Sequence, residues 1–508
     1  MLRIRFWFRF MVLSVALVLI AASDHKIQYN PSPRRLEILF LGHTANRHHN
    51  SERLADLFLK EYFKDGINIT FTMSPADLNE KNLSHYDGLI LYANHDSISS
   101  SQEKALLDFV RSGKGFIPLH CASYCFRNSP EVVEMIGGQF KSHKYDSFPA
   151  VIVDPSHQVM KGITSFTTKD ETYVHDKISK NIKVLTERVE GDHHEPYTWV
   201  REFGKGRVFY TAYGHDDNTF TNQGFLDLVR NGIFWAVGEN AMADLGAFKI
   251  ANLTYFDGMV PNYEHRTPAP KVQASLTPTE SMSLMQVPVD FDLQLFAAEP
   301  DVINPIYINW DERGRLWVIE TVDYPNEVKN DDIGDDRIKI LEDTDGDGKA
   351  DKTTLFADKL NIPTSFVFTN GGIIVSQAPS FIFLKDTTGD DKADIRKEIL
   401  PGWGKNDTHA QASNLRYGID NKIWGVVGYS GFNNGKKGKD SLAFGNGVYR
   451  FNPDGKNLEH ISTTSNNTWG LGFSEEFDIF ISTANNSHTA FLWMPRRYFD
   501  KVKINETG

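Results

Sequence analysis

Asp343–Asp351 reads DTDGDGKAD, and Asp386–Asp394 reads DTTGDDKAD. The two share the pattern D-T-x-G-D-x-K-A-D at an offset of 43 residues. Each follows a short apolar run, Ile338–Leu341 and Phe381–Leu384. A strand, an acidic turn and a further strand, repeated at that period, is how β-propeller blades are written in sequence. Four strand clusters can be set around the repeat: Tyr307–Glu320, Thr369–Leu384, Asn414–Val427 and Trp469–Ser482. Residues 291–508 are therefore predicted to form an all-β propeller.

The acidic loops invite a metal reading. Asp343, Asp345, Asp347 and Asp351 take positions 1, 3, 5 and 9 of an EF-hand-like loop, with Gly348 at position 6. Alternate carboxylates on a tight turn can converge on one hard cation, so a structural calcium is expected here. Thr354 stands at position 12 in place of the bidentate Glu of a true EF-hand, and a solvated turn that needs no metal stays open. The second loop has Thr388 and Asp391 where the first has Asp345 and Gly348, a poorer cation set.

Upstream the pattern changes. Leu36–Leu41, Ile67–Met73, Leu89–Tyr92 and Phe116–Leu119 read as buried strands, with amphipathic helices between them opened by Ser51 and by a Ser100/Glu103 capping box. Strands alternating with helices imply a mostly parallel sheet covered on both faces, an α/β domain over residues 35–240. Sites in such sheets lie beyond the carboxyl ends of the strands. That rule selects His43, His95, His120 and His215, with Glu171 as a carboxylate partner. A polar pocket and a set of structural histidines are both compatible with this. His48, His49, His193 and His194 lie in polar stretches and read as solvated loop residues. Residues 241–290, with Pro261, Pro268, Pro270 and Pro278, read as a connector, and Phe291–Phe296 as the first strand beyond it.

At 508 residues the chain is too long for one core. A net charge of −12 argues against nucleic acid as a partner, because phosphate binding needs a basic face. Two cysteines exclude a disulfide framework, although a Cys121–Cys125 bond is possible, and there is no CxxCH haem-attachment site. Arg3, Arg5 and Arg9, then the apolar Met11–Ala22 and the small residues to Ser23, have the layout of a signal peptide over residues 1–23. Export to a periplasm or to the extracellular space is expected, with membrane attachment only if that segment stays uncleaved.

GKGFIPLHCASYCF (Gly113–Phe126) and WVREFGKGRVFYTAYGHD (Trp199–Asp216) resemble the trehalose-utilisation (ThuA-like) family. That resemblance implies the flavodoxin-like fold of class I glutamine amidotransferases and a carbohydrate small molecule as partner. It places His120 where an amidotransferase carries its nucleophilic Cys. Imidazole cannot form the thioester that glutamine hydrolysis needs, so amidotransferase activity is not expected. His120, Glu171 and His215 are the expected polar centre, for metal binding or for acid–base work in a hydrolase or isomerase.

In the propeller, DTHAQASNLRYGIDNKIWGVVGYSG (Asp407–Gly431) resembles the glucose/sorbosone dehydrogenase family, six-bladed propellers that use pyrroloquinoline quinone. The resemblance implies a sugar oxidoreductase, with His409 as the base that takes the hydroxyl proton. NNTWGLGF (Asn466–Phe473) resembles a second motif of that family, whose Arg-Asn pair touches the cofactor; Asn466 stands in place of the Arg, and Asn467 matches. Residues 277–508 also resemble membrane-bound dehydrogenase propellers that often carry a ThuA-like domain and a cytochrome c segment. By that analogy Arg416, Glu320 and Trp469 face the axial channel, and a cytochrome c accepts the electrons. A His bonded to backbone at a blade corner, and glycan binding without turnover, are the alternatives. Four clusters against six blades give the expectation that the chain ends inside the ring.

Overall fold

The computed structural model describes residues 29–493 except 44–48, 261, 263–264, 327, 330–332 and 485. The segment read as a signal peptide lies outside the described residues. Among the described residues no helix is long and apolar enough to cross a membrane. The chain divides into two compact units at Leu293/Gln294.

Twelve described strands lie in the first unit up to Thr211: β1 (Leu36–Gly42), β2 (Ile67–Thr72), β3 (Gly88–Tyr92), β4 (Gly115–Pro118), β5 (Gln139–Ser142), β6 (Tyr145–Pro149), β7 (Val151–Ile152), β8 (Thr167–Glu171), β9 (Val174–Asp176), β10 (Lys183–Glu190), β11 (His193–Phe203) and β12 (Gly206–Thr211). Eight form one sheet in the order β2-β1-β3-β4-β12-β11-β10-β7. The first five are parallel, and β11, β10 and β7 continue the sheet antiparallel. β1 and β3 are almost wholly buried because helices cover both faces, which explains their unbroken apolar runs. Helix Ser51–Tyr62 turns Leu54, Ala55, Phe58 and Tyr62 inward, and helix Gln223–Ala236 adds Phe225, Leu228, Val229 and Ile233. Each buried Leu, Ile, Val or Phe among them contributes ~1.5–3 kcal/mol relative to exposure. The remaining strands pair off as two short ladders, β5 with β9 and β6 with β8, at the carboxyl edge of the sheet.

Local details differ from the sequence reading. Asn50, not Ser51, caps its helix, accepting from Arg53 N–H. The capping box uses Ser99 and Gln102, one residue earlier than expected, because Ser99 holds the extended backbone a cap requires. Cys121 and Cys125 are buried free thiols, not a disulfide; Cys121 sits in the His120–Tyr124 turn. Residues 241–290 include most of a helix, Gly238–Ala247, and a two-stranded ribbon, Tyr255–Phe256 with Val272–Gln273. Phe291–Phe296 alternates but is not a strand, although the Phe296 carbonyl accepts from Ala350 N–H at 2.9 Å.

The second unit is a propeller-like region of four blades. Three are four-stranded antiparallel sheets starting at Pro305, Ser365 and Ala412; the fourth shows three strands, from Thr468. Apolar clusters fill the space between consecutive sheets. Trp317, Ile338 and Phe356 meet Phe366 and Ile373; Phe381 and Trp403 meet Tyr449 and Phe451; Trp424 and Val448 meet Leu471 and Ile481. Each acidic loop joins the third and fourth strands of its blade.

Candidate functional site

His120 follows the fourth strand at a left-handed φ of 45°, at the start of a tight turn. A non-glycine residue held there costs about 1–3 kcal/mol, a cost usually found at functional positions. The side chain is fully buried. Its Nδ1 lies 2.7 Å from the Ala212 carbonyl, and the Tyr173 ring stacks on it at 4.3 Å. The Tyr210 hydroxyl donates to its carbonyl at 3.0 Å.

Glu171, the last residue of β8, reaches the same point. Its Oε2 is 3.3 Å from His120 Nε2, and its Oε1 is 3.3 Å from His215 Nδ1. Burial works against the Glu171 charge, but the two imidazoles outweigh it and hold the carboxyl well below its usual range. For His215 burial pulls the pKa down, yet Glu171 and Asp170 leave it raised. The rim behind them is tied by Asp170. This fully buried carboxylate accepts from Gly214 N–H (2.8 Å), His215 N–H (3.2 Å), Glu171 N–H (2.7 Å) and the Thr219 hydroxyl (2.7 Å).

The expected trio therefore converges, and two histidines join that the sequence reading passed over. His49 is buried, not solvated, with ring centroids 5.2 Å from both His120 and His215. Its polar neighbours hid it in sequence; its place beyond the carboxyl end of β1 was the available signal. His143 lies in the turn between β5 and β6, with Nδ1 3.3 Å from Glu171 Oε1 and 43% of its side chain exposed. Tyr145 pairs with Glu171 in the β6–β8 ladder, so the turn is bound to the strand that delivers the carboxylate. Two of the four rim histidines stand apart: His43 and His95 stack on each other at 4.1 Å, and His43 bonds Asn94. His193 and His194 are exposed as expected, although His193 reaches the buried Glu195, which also holds His175. His48 lies outside the described residues.

The propeller residues form no comparable cluster. His409 is exposed, held by Asp407 at 3.2 Å, with its carbonyl accepting from the Asn467 amide at 2.9 Å. Asn466 accepts from the Tyr429 hydroxyl. With the Arg of the family pair replaced and the Asn467 Nδ2 committed to backbone, these residues lack the anion-pairing fork that the resemblance implies for pyrroloquinoline quinone. Arg416 is exposed. Glu320, expected at the channel, is instead fully buried between Arg337 (2.5 Å) and Lys339 (2.8 Å). Trp469 is half-buried, its carbonyl accepting from Asn414. In the first acidic loop Asp343, Asp345 and Asp351 bring carboxylate oxygens within 4.8 Å of one another, a set suited to calcium. Asp347 turns away to accept Lys349 N–H at 2.8 Å.

Residues 37–236 match the family model described as "Trehalose utilisation" (ThuA), and residues 277–507 match a domain of unknown function, DUF7133. Among solved structures, a ThuA-like protein from Bacteroides uniformis is 20% identical, covering 42% of this chain and 95% of its own, at a TM-score of 0.36. A second, from Parabacteroides merdae, is 21% identical over 41% and 90%, at 0.35. A cytoplasmic protein from Salmonella typhimurium is 14% identical over 40% and 99%, at 0.31. No curated protein matches the chain. The first unit is an α/β domain whose residues 37–236 are similar to the trehalose-utilisation family. A β-rich, propeller-like region of four blades follows it.

Proposed function

We propose that the ThuA-like unit is the chemically active half of the chain and transforms a carbohydrate or sugar derivative, as a hydrolase or isomerase centred on His120, Glu171 and His215. The observation that carries this reading is their convergence: one charged carboxylate between two imidazoles, at the carboxyl edge of a parallel sheet. The supporting geometry is rigid, since Asp170 fixes the His215 backbone and a carbonyl fixes the His120 ring. Exposure rises from His120 to His143, which gives a substrate one side of approach. The family match supplies the substrate class. Export is part of the same proposal, supported by the pattern of residues 1–23.

The test is turnover by the full chain of a panel of mono- and disaccharides and their oxidised derivatives, followed by NMR. Glu171→Gln keeps the shape and removes the charge, and is expected to lower turnover roughly 100-fold or more. Unchanged turnover in that variant would remove the site from the reaction. The rival reading, a sugar oxidoreductase with His409 as base in a six-bladed ring, draws support from the Asp407 and Asn467 bonds that orient His409. Sugar-dependent dye reduction lost in His409→Gln and kept in Glu171→Gln is the pattern that would favour it.

A further inference from the structure

We propose that His49, His120, Glu171 and His215 bind one divalent first-row transition metal ion, an inference that rests on the site read above and assigns its cofactor class.

The four residues each offer one ligand atom, and all these atoms lie within 4.8 Å of one another. In a tetrahedral site with metal–ligand bonds of about 2.0–2.1 Å, neighbouring ligand atoms sit roughly 3.3 Å apart. The His120 Nε2–Glu171 Oε2 contact measures 3.3 Å, and His215 Nδ1 lies 3.3 Å from the other carboxylate oxygen, Oε1.

The hydrogen-bond pattern points the same way. A carbonyl can only accept, so the His120 Nδ1 facing Ala212 O must carry the hydrogen. In the neutral ring Nε2 then presents a lone pair to the Glu171 carboxylate. Neither His120 Nε2 nor His215 Nδ1 is aligned for a hydrogen bond, although both atoms are buried. A lone pair of His120 turned on a carboxylate in a largely buried place is repelled by it, and a cation between them removes the conflict. A backbone carbonyl on the far nitrogen of an imidazole is also the usual outer support of a metal-binding histidine, because it fixes the tautomer and the ring plane.

The donors select the ion. Three imidazoles and one carboxylate, without a thiolate, suit zinc, iron(II), cobalt(II) or nickel(II) and disfavour calcium and magnesium, which take oxygen ligands. The chain thus has a nitrogen-rich cation set in one unit and an oxygen-only set, Asp343, Asp345 and Asp351, in the other.

The experiment uses the full chain, stripped with chelator and titrated with cobalt(II). Visible ligand-field absorption reads ion in the nitrogen site, and elemental analysis counts bound metal. One equivalent with tetrahedral-type bands is expected. His49→Gln and Glu171→Gln should each weaken it by roughly ten-fold or more, with His193→Gln unchanged as the control and circular dichroism verifying the fold. No cobalt bands in the wild-type chain overturns the proposal, and undiminished affinity in His49→Gln overturns the four-residue set. The two readings fail separately. Full carbohydrate turnover by the stripped chain removes the metal and keeps the site; a bound ion with no turnover keeps the metal and removes the proposed reaction.

Discussion

In the ThuA-like unit, His49, His120, Glu171 and His215 come from separate segments that the sheet brings to one edge; in the propeller, Asp343, Asp345 and Asp351 come from one nine-residue turn. Both arrangements gather ligand-type groups, yet they depend on the fold to different degrees. The histidine site exists only when β1, β4 and β12 are in place in the sheet, the β6–β8 ladder delivers Glu171 and the turns behind them are held. The acidic turn is built by its own bonds: Asp343 accepts Gly346 N–H at 2.7 Å and Gly348 N–H at 2.8 Å, and Asp351 accepts the Thr344 hydroxyl at 2.7 Å. A site assembled over long range should therefore share its stability with its domain, and a local turn should not.

Asp170 gives the sharpest break of that contrast. Its carboxylate serves three backbone N–H groups and one hydroxyl, all at the histidine edge. Asp170→Ala leaves those donors unpaired, and the expected loss is roughly 3–5 kcal/mol in denaturant unfolding of the full chain. Asp343→Ala removes two bonds in a turn open to water and should cost far less in the same measurement. Equal costs would show that the edge of the sheet is as local as the turn.

A smaller effect tests the opposite end of the same sheet. Glu37, near the start of β1, accepts from Asn68 through Oε1, while Oε2 is buried without a hydrogen-bond partner. Burial, reinforced by Asp87, pushes its pKa up to about 6. A carboxyl with a raised folded-state pKa keeps its proton longer when folded, so ionisation costs stability as pH rises from the unfolded value to about 6. Glu37→Gln should accordingly stabilise the chain by about 1 kcal/mol at pH 7.5 and change nothing at pH 4. A gain of the same size at both pH values would trace it to packing.

How far these features could be read in advance follows the same division. DTDGDGKAD declared itself because its ligand spacing is a property of nine consecutive residues, and the strand clusters followed from period and turn chemistry. His120 and His215 were visible because the carboxyl-edge rule needs only the strand ends. His49 was not: it sits in a polar run after β1, and only tertiary packing puts its ring beside His120. His143 was equally hidden, because the pairing of Tyr145 with Glu171 is set by strand register. Glu320 misled in the other direction. It ends a blade strand, as a channel residue does, but Arg337 and Lys339 on the neighbouring strand close over it.

The two acidic loops permit the finest comparison, since they are near-copies that differ at one telling place. Where the first has Gly348, at a φ of 84° that favours glycine, the second has Asp391. The Asp391 carboxylate pairs with Arg315 at 2.9 Å, and Arg315 is itself held by Asp311 at 2.8 Å. The second loop thus carries a guanidinium where an acidic turn would otherwise draw a cation from solution. The first loop keeps three carboxylates together, open to solvent on the Asp345 and Asp351 side. Calcium at ten times its dissociation constant stabilises a binding unit by about 1.4 kcal/mol, which for roughly 200 residues raises the melting temperature by about 3–5 °C. That rise is expected in differential scanning calorimetry of the propeller transition. It should vanish in Asp345→Asn and persist in Asp390→Asn, which removes a carboxylate from the second loop instead. A rise that survives Asp345→Asn would place the calcium elsewhere, and the first loop would then be a turn closed by its own hydrogen bonds.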